Sequence, residues 1–372
     1  MIAGFLETLC AKNGSDLHLK VGNFPYLRIN GELEIIEGSS RLTMDDMNVI
    51  VGEMMTPERK ERFNKTKSLD FSYSLPGKGR FRTNIFVQRG TSALAIRRIE
   101  DNIKKMEELG LPKVIKDIAN TQRGLVLVTG ATGNGKSTTV ASIIGYINDN
   151  FVRNIITLED PIEFLFRDNK SIISQREIPN DIDSYDQALK YVMRQDPDII
   201  FIGELRDKVT IDAAIKASET GHLVISTLHT VDASQTITRI IDFYPPEHQK
   251  QLRYQLSKNL KAVISQRLLA SKDRKSRVPA IEIMLQTPSI IEMILTPEGV
   301  KTIPEAIRNG KEIYGMQTFD QSIGELYLAD RITYNTAIDA ATQKKEIELL
   351  KRGISYESTN ELYKGILANN EY

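Results

Sequence analysis

The first hundred residues alternate between helical and strand-like patterns of apolar side chains. Apolar residues recur at helical spacing from Ile2 to Cys10, and Asn13-Gly14 supplies a left-handed helix stop. A second helical pattern covers residues 44–63. Alternating positions and a hairpin signal at Asn30-Gly31 predict strands at 17–21, 26–29, 32–35, 80–88 and 94–99. This pattern predicts a small α+β domain.

The pattern changes after a charged segment, 100–105, and the sequence Gly110-Leu111-Pro112. Short apolar runs, separated by helical patterns, follow at 124–128, 155–158, 199–202 and 223–226. Buried parallel strands joined by crossover helices explain this order most simply, so the predicted fold class is α/β. From Pro246 onward the chain is predicted to be mainly helical, with one stripe formed by Leu252, Leu256, Leu260, Val263 and Ile264.

A phosphate-binding loop pattern (P-loop) lies directly after the run 124–128. It reads Gly130-Ala131-Thr132-Gly133-Asn134-Gly135-Lys136-Ser137 and continues into Thr138. The glycines allow a tight turn whose backbone N–H groups point at phosphate oxygens, and the next helix adds its positive N-terminus. In this pattern Lys136 bridges the β- and γ-phosphates and Ser137 binds Mg²⁺. The strand–loop–helix context favours ATP binding over a plain glycine-rich turn.

The run 199–202 leads into Gly203-Glu204 and so predicts a buried strand with an acid at its carboxyl end. Ligands of open α/β sheets bind at that end. We interpret Glu204 as the catalytic base that polarises the attacking water, in preference to a surface acid. Gly203 stands where many P-loop enzymes have the Asp that supports Mg²⁺, so support for the metal must come from elsewhere.

Three acids follow the run 155–158, in the sequence Glu159-Asp160-Pro161-Ile162-Glu163. They are expected at the same edge of the sheet as Glu204. Glu159 is the candidate for the missing Mg²⁺-water contact, so Ser137 and Glu159 are the predicted metal-site residues. A solvated acidic turn is the alternative, because Asp-Pro is also an ordinary turn dipeptide.

Two of the four histidines, His222 and His229, flank the run 223–226. His229 is a candidate for a phosphate or water contact at the carboxyl end of the strand. Histidines that only bond the backbone are the alternative. A zinc pair is disfavoured, because neither cysteines nor a third nearby histidine completes a tetrahedral set.

Arginines mark the strands of the first domain: Arg80 and Arg82 share one face, and Arg97 and Arg98 lie on the next strand. They are either solubilising or arginine fingers that reach phosphates across a domain or subunit boundary. The basic run 272–277 is predicted to be a solvated loop. It lacks the aromatic residues that a nucleic-acid channel usually requires.

Composition narrows the classes of protein. The chain has 372 residues, 41% hydrophobic and 26% charged, which predicts folded domains. Lys plus Arg and Asp plus Glu each total 49, so the zero net charge implies no attraction to nucleic acid. A single cysteine, Cys10, favours a reducing cytoplasm. No signal peptide and no apolar run of about 18 residues is apparent, so direct membrane insertion is not expected.

Taken together, these motifs resemble the type IV pilus retraction ATPases, which are the twitching-motility PilT and PilU proteins of the secretion ATPase superfamily. The resemblance covers nearly the whole chain. Besides the P-loop, it rests on the segments 15–19 and 79–82, an Asp box at 157–164, a Walker B segment at 199–207, and a His box at 221–230. Gly-Glu is the usual Walker B form in this family, so Gly203 is expected there.

Two C-terminal segments extend the resemblance. Ala306-Ile307-Arg308-Asn309-Gly310 is similar to the family's retraction-associated motif, and residues 315–321 are also similar to the family. Spacing alone would make the first segment only a helix that ends at an Asn-Gly cap. Four features resemble PilU: residues 97–100, 130–133 and 142–146, and the short interval between Gly310 and Gly315. The segment 306–310 instead favours PilT.

The resemblance implies an N-terminal PAS-like α+β domain followed by a RecA-like P-loop ATPase domain with a helical C-terminal part. The implied boundaries are 1–100, a linker at 101–117, an ATPase core at 118–290 and a helical region at 291–372. It also implies a homohexamer in the cytoplasm, peripheral to the inner membrane at the pilus base. The implied partners are the pilus platform protein and a paralogous retraction ATPase.

The resemblance assigns roles to single residues. Arg82 and Arg97 match the paired arginines of the N-terminal domain and join Glu204, Glu159 and His229 as predicted catalytic residues. His222 is predicted to contact the nucleotide together with the P-loop residues.

The predicted function is an ATP-hydrolysing motor that retracts type IV pili by disassembling pilin. A pilus assembly or type II secretion ATPase is one alternative, although those relatives usually carry an extra N-terminal domain and often a tetracysteine zinc element. A nucleotide-gated accessory scaffold is another, and Glu204 and the paired arginines disfavour it. A RecA-like DNA motor is disfavoured by the zero net charge.

Overall fold

A computed structural model describes residues 1–99 and 101–354. Glu100 and the last part of the predicted C-terminal region, 355–372, lie outside the described residues. The chain divides into two compact units. The first unit consists of Met1–Asn102, Asp160–Phe166 and Glu177–Asp183; the second consists of Ile103–Glu159, Arg167–Arg176 and Ser184–Tyr372.

The first unit is built from three helices and six strands among its described residues. In chain order they are α1 (Ile2–Ala11), β1 (Asp16–Lys20), β2 (Tyr26–Ile29), β3 (Glu32–Ile35), α2 (Met44–Met54), α3 (Pro57–Thr66), β4 (Ser68–Leu75), β5 (Gly79–Gln88) and β6 (Thr91–Arg98). The single helix predicted at 44–63 is therefore two helices. Thr56 caps the second one and Pro57 occupies its first turn, which starts a new helix after Met55.

The six strands form one antiparallel sheet in the order β3-β2-β1-β6-β5-β4. Asn30 and Gly31, both at positive φ, make the predicted hairpin turn between β2 and β3. Leu17 and Leu19 of β1 are buried in one core with residues of α1 and α2. Strand alternation therefore turns Asp16 to the opposite face of the sheet.

The second unit contains the remaining described elements. They are α4 (Val114–Ala119), β7 (Gly124–Thr129), α5 (Lys136–Asn150), β8 (Asn154–Glu159), β9 (Ile172–Glu177, of which Glu177 belongs to the first unit), α6 (Tyr185–Val192), β10 (Ile199–Ile202), α7 (Lys208–Glu219), β11 (Leu223–Leu228), α8 (Ala233–Asp242), α9 (Pro246–Asn259), β12 (Leu260–Ala270), β13 (Arg277–Leu285), α10 (Pro288–Ile294), α11 (Pro297–Asn309), α12 (Lys311–Tyr314), α13 (Phe319–Leu328), α14 (Tyr334–Ala340) and α15 (Lys344–Lys351).

A seven-stranded sheet in the order β13-β12-β7-β11-β10-β8-β9 forms the centre of this unit. Strands β12, β7, β11, β10 and β8 are mutually parallel. The apolar runs predicted β7, β11, β10 and β8, but not β12. Every residue of β7, β10 and β11 is buried, which matches strands covered by helices on both faces.

The prediction of a mainly helical chain from Pro246 onward is wrong for residues 260–285. Helix α9 ends at Asn259, and Leu260, Val263 and Ile264 lie in β12 rather than on the helical stripe of Leu252 and Leu256. A strand buried on both faces shows no alternation, so its apolar run could be mistaken for a helical stripe.

Helices α10 to α15 follow β13, and residues of α13, α14 and α15 form a separate apolar cluster with β12 and β13. No helix in the described part of the chain combines the length and apolar character that crossing a membrane requires.

Candidate nucleotide-binding and hydrolysis site

The predicted site residues of the second unit gather where parallel strands end. The P-loop follows β7, His229 follows β11, Glu204 follows β10, and Glu159 is the last residue of β8. These strands are neighbours in the sheet and run in the same direction. Their carboxyl ends therefore form one edge, which we call the carboxyl edge.

Two glycines of the P-loop lie against Gln266 of β12. A Cβ on Gly130 would lie 2.5 Å from the Gln266 carbonyl oxygen, and a Cβ on Gly135 would lie 2.9 Å from Gln266 Nε2. Both glycines have positive φ. Only glycine therefore fits at these positions, and Gly135 is the residue from which α5 begins. The N-terminus of α5 thus faces the loop, as phosphate binding requires.

Lys136 is buried and extends back into the P-loop. Its Nζ donates to the carbonyl oxygens of Gly130, at 2.8 Å, and Ala131, at 3.2 Å. Nζ also lies 3.3 Å from His229 Nδ1, while His229 Nε2 lies 3.3 Å from Glu204 Oε1. An ammonium group has only donors, so Nδ1 accepts and Nε2 carries the proton that it donates to Glu204. His229 therefore connects the P-loop lysine to the predicted base.

The main chain before Glu204 is fixed from both neighbouring strands. Gly203 N donates to Leu158 O at 2.8 Å, and Thr227 Oγ1 donates to Gly203 O at 2.6 Å. A Cβ on Gly203 would lie only 3.1 Å from the Tyr185 hydroxyl. A larger residue, such as the Asp of other P-loop enzymes, would therefore require these neighbours to move. The Glu204 carboxylate itself accepts from Arg206 Nε at 2.8 Å and is only partly exposed.

Glu159 is buried at the end of β8. Its Oε1 accepts from Thr157 Oγ1 at 2.6 Å and from Gln175 Nε2 at 3.2 Å. These bonds hold the carboxylate at the carboxyl edge, one strand away from Glu204. The alternative of a solvated acidic turn does not describe Glu159, although it does describe the exposed Asp160.

His222 lies at the other edge of the sheet. It precedes β11, whose first residue pairs with Gly124 at the start of β7. Its Nδ1 contacts Ala217 O at 3.0 Å and Thr220 Oγ1 at 3.2 Å. Within this chain the structure does not bring His222 to the P-loop; His222 stabilises the turn between α7 and β11 instead.

The arginines of the first unit divide between the two faces of its sheet. Arg82 and Arg97 are directly opposite each other on β5 and β6, so they share one face. Arg97 Nε donates to Asp16 Oδ1 at 2.8 Å. Arg98 points to the other face, where it contacts Asn13 and Asp101. The geometry thus pairs Arg97, and not Arg98, with Arg82.

A buried carboxylate that the sequence analysis overlooked lies on the same face as Arg82. Glu177, the last residue of β9, is 1% exposed and accepts from Ser72 Oγ at 2.6 Å and from Ile162 N at 3.2 Å. Arg80 Nη2 lies 3.4 Å away from it. Glu177 therefore joins the Asp-box residue Ile162 to β4 and β5. A lone acid at a strand end carries no pattern that could have predicted this.

The basic run 272–277 is exposed throughout, as expected of a solvated loop, but its last residue also contacts the P-loop. Arg277 Nη1 donates to the P-loop carbonyl of Gly133 at 3.1 Å. Asn134 Oδ1 accepts from Leu268 N at 3.4 Å, and Thr139 Oγ1 donates to Gln266 Oε1 at 2.7 Å. Strands β12 and β13 thus support the P-loop directly. Only the three-dimensional pairing of β12 with β7 brings these residues together.

Among the described residues, no group of three or more His, Cys, Asp or Glu side chains is arranged to hold a metal ion. A P-loop magnesium site needs fewer protein ligands, because the substrate phosphates supply the rest.

The chain is similar in sequence to a known family and to known proteins. The family model described as "Type II/IV secretion system protein" matches residues 39–362. The chain is 40% identical over 337 residues to the type IV pilus retraction ATPase PilT of Pseudomonas aeruginosa, covering 90% of this chain and 97% of that protein. It is 39% identical over 345 residues to the type IV pilus ATPase PilU of the same organism, covering 93% and 90% respectively.

A solved structure is similar over almost its whole length. The crystal structure of the pilus retraction motor PilT with bound ADP has a TM-score of 0.85 and 38% sequence identity. The match covers 93% of this chain and 98% of that one.

Proposed function

The chain belongs to the type II/IV secretion system protein family, and from that premise we propose that it is the ATP-hydrolysing motor of type IV pilus retraction. Membership confirms the predicted fold class, the two-domain architecture of a secretion ATPase, and the enzyme class. The observation that carries the proposal is the connection of Lys136, His229 and Glu204 at the carboxyl edge. It joins a phosphate-binding lysine to a base within one site.

Each residue of this connection has a chemical role in the proposed hydrolysis. ATP binds with its phosphates on the P-loop, where the γ-phosphate draws Lys136 away from the carbonyls of Gly130 and Ala131. Glu204 orients the water that attacks the γ-phosphate. His229 hydrogen-bonds Glu204 and so directs the carboxylate toward the P-loop.

Magnesium is the metal that these residues suit. Ser137 in the first turn of α5 offers a hydroxyl and Glu159 a carboxylate, and Mg²⁺ binds such hard oxygen donors together with substrate phosphates. We infer that Ser137 holds the ion and that Glu159 contacts it through water. When bound, the ion neutralises charge that develops on the phosphates.

Arg82 and Arg97 are proposed as arginine fingers. They leave the same face of the sheet from directly opposed positions, and guanidinium groups suit the spread charge of a transferring phosphoryl group. Release of the phosphate after hydrolysis would remove the contact and so permit a domain movement. This movement is the proposed source of mechanical work.

A homohexamer at the cytoplasmic side of the pilus base is the proposed working form, with the inner-membrane platform protein as partner. The similarity to motors of this kind supports the proposal. Identity to PilT and to PilU is nearly equal, so it does not separate a principal motor from an accessory one that works with a paralogous retraction ATPase.

A genetic experiment tests the function. Surface pili are counted by electron microscopy, and twitching is scored, in a host strain that lacks this gene. The strain is complemented with wild type, with Glu204→Gln, or with Glu247→Gln, which changes an exposed acid on α9. We expect excess pili without twitching in the deletion strain, and rescue by wild type and Glu247→Gln only.

ATPase assays on purified protein test the proposed chemistry. Glu204→Gln should lower kcat by about 100-fold or more and keep nucleotide affinity, because the variant loses the base but not the phosphate contacts. Near-normal hydrolysis would remove Glu204 as the base. Bald deletion cells would instead identify an assembly motor, and an equally low ATPase rate of wild type and variant would identify a nucleotide-gated scaffold.

A further inference from the structure

Two C-terminal motifs that the proposed chemistry does not use meet at Arg308. The segment 306–310 ends helix α11, and the segment 315–321 runs into the first turn of α13. Gln321 Nε2, of the second segment, donates to the carbonyl oxygen of Arg308 at 3.3 Å. The Arg308 guanidinium pairs with Glu346 of α15, with 2.5 Å between Nη2 and Oε1. Arg308 is therefore held at both its main chain and its side chain.

Glu346 is buried, and Arg308 is the residue with which it forms an ion pair. The residue is 4% exposed. Its Oε2 has no hydrogen-bond partner in the described part of the chain. Burial raises the pKa of the Glu346 carboxyl, and the bond from Arg308 opposes that rise. A carboxylate enclosed in this way cannot contact another protein, so its charge acts on groups within this chain, of which the Arg308 guanidinium is the one that it pairs with.

The surrounding hydrogen bonds continue from Arg308 to the P-loop. Gln317, of the second segment, exchanges backbone hydrogen bonds with Ile283 of β13, at 2.8 and 3.2 Å. Its side chain donates to Ile281 O at 2.7 Å. Strand β13 pairs along its whole length with β12, whose Gln266 and Leu268 contact the P-loop and the start of α5. The end of α11 and the nucleotide loop are thus parts of one hydrogen-bonded framework.

We propose that Glu346 is a positioning residue for retraction: its pairing with Arg308 holds the end of α11 in its working conformation, and Arg308 serves the motor through this inward contact rather than by touching a partner. The proposal rests on the proposed retraction function. It assigns the motif arginine to the interior of the protein and leaves the neighbouring exposed residues, such as Asn309, to face partners.

An uncharged isostere tests the pair. Glu346→Gln keeps the shape of the side chain and removes its charge. In the complemented deletion strain we expect it to reduce twitching about fivefold or more while ATPase kcat and KM stay within about twofold of wild type. Glu348→Gln, on the exposed side of the same helix, is the matched control and should twitch normally. Thermal melting shows that both variants are folded. Normal twitching by folded Glu346→Gln would overturn the proposal.

Exchanging the charges of Arg308 and Glu346 tests whether Arg308 acts by pairing with Glu346 or by contacting a partner protein. Arg308→Glu should abolish twitching, and adding Glu346→Arg to it should restore about half or more of the activity, because the pair is rebuilt with opposite polarity. A folded double variant as inactive as Arg308→Glu would show that Arg308 is required for itself and would overturn the proposal. If melting shows the double variant unfolded, the Glu346→Gln result decides alone.

The same strains keep the two hypotheses apart. Failure of wild type to restore twitching, or rescue by Glu204→Gln, contradicts the proposed function. Normal twitching by Glu346→Gln in a strain where Glu204→Gln is inactive contradicts only the positioning role.

Discussion

At the scale of single residues, the site depends on how little room the chain leaves around its reacting groups. Gly203 illustrates this, because a side chain there would approach Tyr185, Leu158 O and Glu159 at once. The residue before the proposed base is therefore small for a steric reason. The proposed support for magnesium comes from the neighbouring strand, where Glu159 ends β8.

The substitution Gly203→Ala tests how tightly the neighbouring residues enclose position 203. The new Cβ would lie 3.1 Å from the Tyr185 hydroxyl and 3.3 Å from Leu158 O, so strand β8 must shift. We expect Gly203→Ala to cost about 1–3 kcal/mol of stability and to lower kcat, because Glu204 moves with the strand end. Gly52→Ala is the control: it lies in α2 with nothing within 4 Å, and alanine should stabilise that helix by about 0.5–1 kcal/mol. Thermal unfolding and steady-state ATPase assays measure both, and wild-type values for Gly203→Ala would contradict the steric account.

The sequence predicted the positions of the candidate site residues at strand ends wherever one motif lies on one element. The P-loop, Glu204, His229 and Glu159 each follow an apolar run that is visible in the sequence, and parallel strands bring the ends of these runs together. Glu177, Gln266 and Arg277 were missed because their partners are distant along the chain. Ser72 lies 105 positions from Glu177, and Gly133 lies 144 positions from Arg277. The pattern of neighbouring residues in the sequence carries no information about contacts between residues so far apart along the chain.

At the scale of elements, strands β12 and β13 extend the parallel sheet and connect the P-loop to the C-terminal helices. They also carry a buried acid. Glu282 of β13 is 7% exposed and accepts from Ala233 N, the first amide of α8, at 2.9 Å. Burial, with smaller contributions from Asp232 and Asp320, raises the pKa of Glu282 to about 7, although the Ala233 amide and Arg267 oppose the rise. The carboxyl is therefore half protonated near neutral pH.

This titration makes stability depend on pH with a defined sign. The unfolded chain loses the Glu282 proton near its ordinary pKa of 4.5, whereas the folded chain keeps it until about 7. Stability contributed by the neutral form is therefore present below pH 4.5 and is lost as the pH rises through 7. Glu282→Gln, which stays neutral, should gain about 2 kcal/mol over wild type between pH 5 and pH 8. Melting temperatures at the two pH values test this. Exposed Glu292→Gln is the control, and an equal gain there would remove Glu282 as the source.

At the scale of the whole molecule, the Asp box is shared between the two compact units. Glu159 belongs to the second unit, whereas Asp160–Phe166 and Glu177–Asp183 belong to the first. The chain therefore passes from the catalytic strands into the first unit and back twice. Glu177 anchors both returning segments to β4 and β5, beside the face that carries Arg82. A change at the end of β8 is thus tied covalently to the unit that holds the proposed fingers.

Removal of one finger tests whether the first unit takes part in hydrolysis. Arg82→Ala should reduce kcat on the order of 10³-fold and leave nucleotide affinity within a few-fold, since a finger stabilises charge that develops only in the transition state. Arg98→Ala removes the same side chain from the opposite face of the sheet and should retain its turnover. Binding of a fluorescent ATP analogue measures affinity, single-turnover hydrolysis measures the chemical step, and thermal melting shows that both variants are folded.

Unchanged turnover in Arg82→Ala would contradict the finger assignment. Equal losses in both variants would show that the sheet as a whole, and not the face shared by Arg82 and Arg97, supports catalysis.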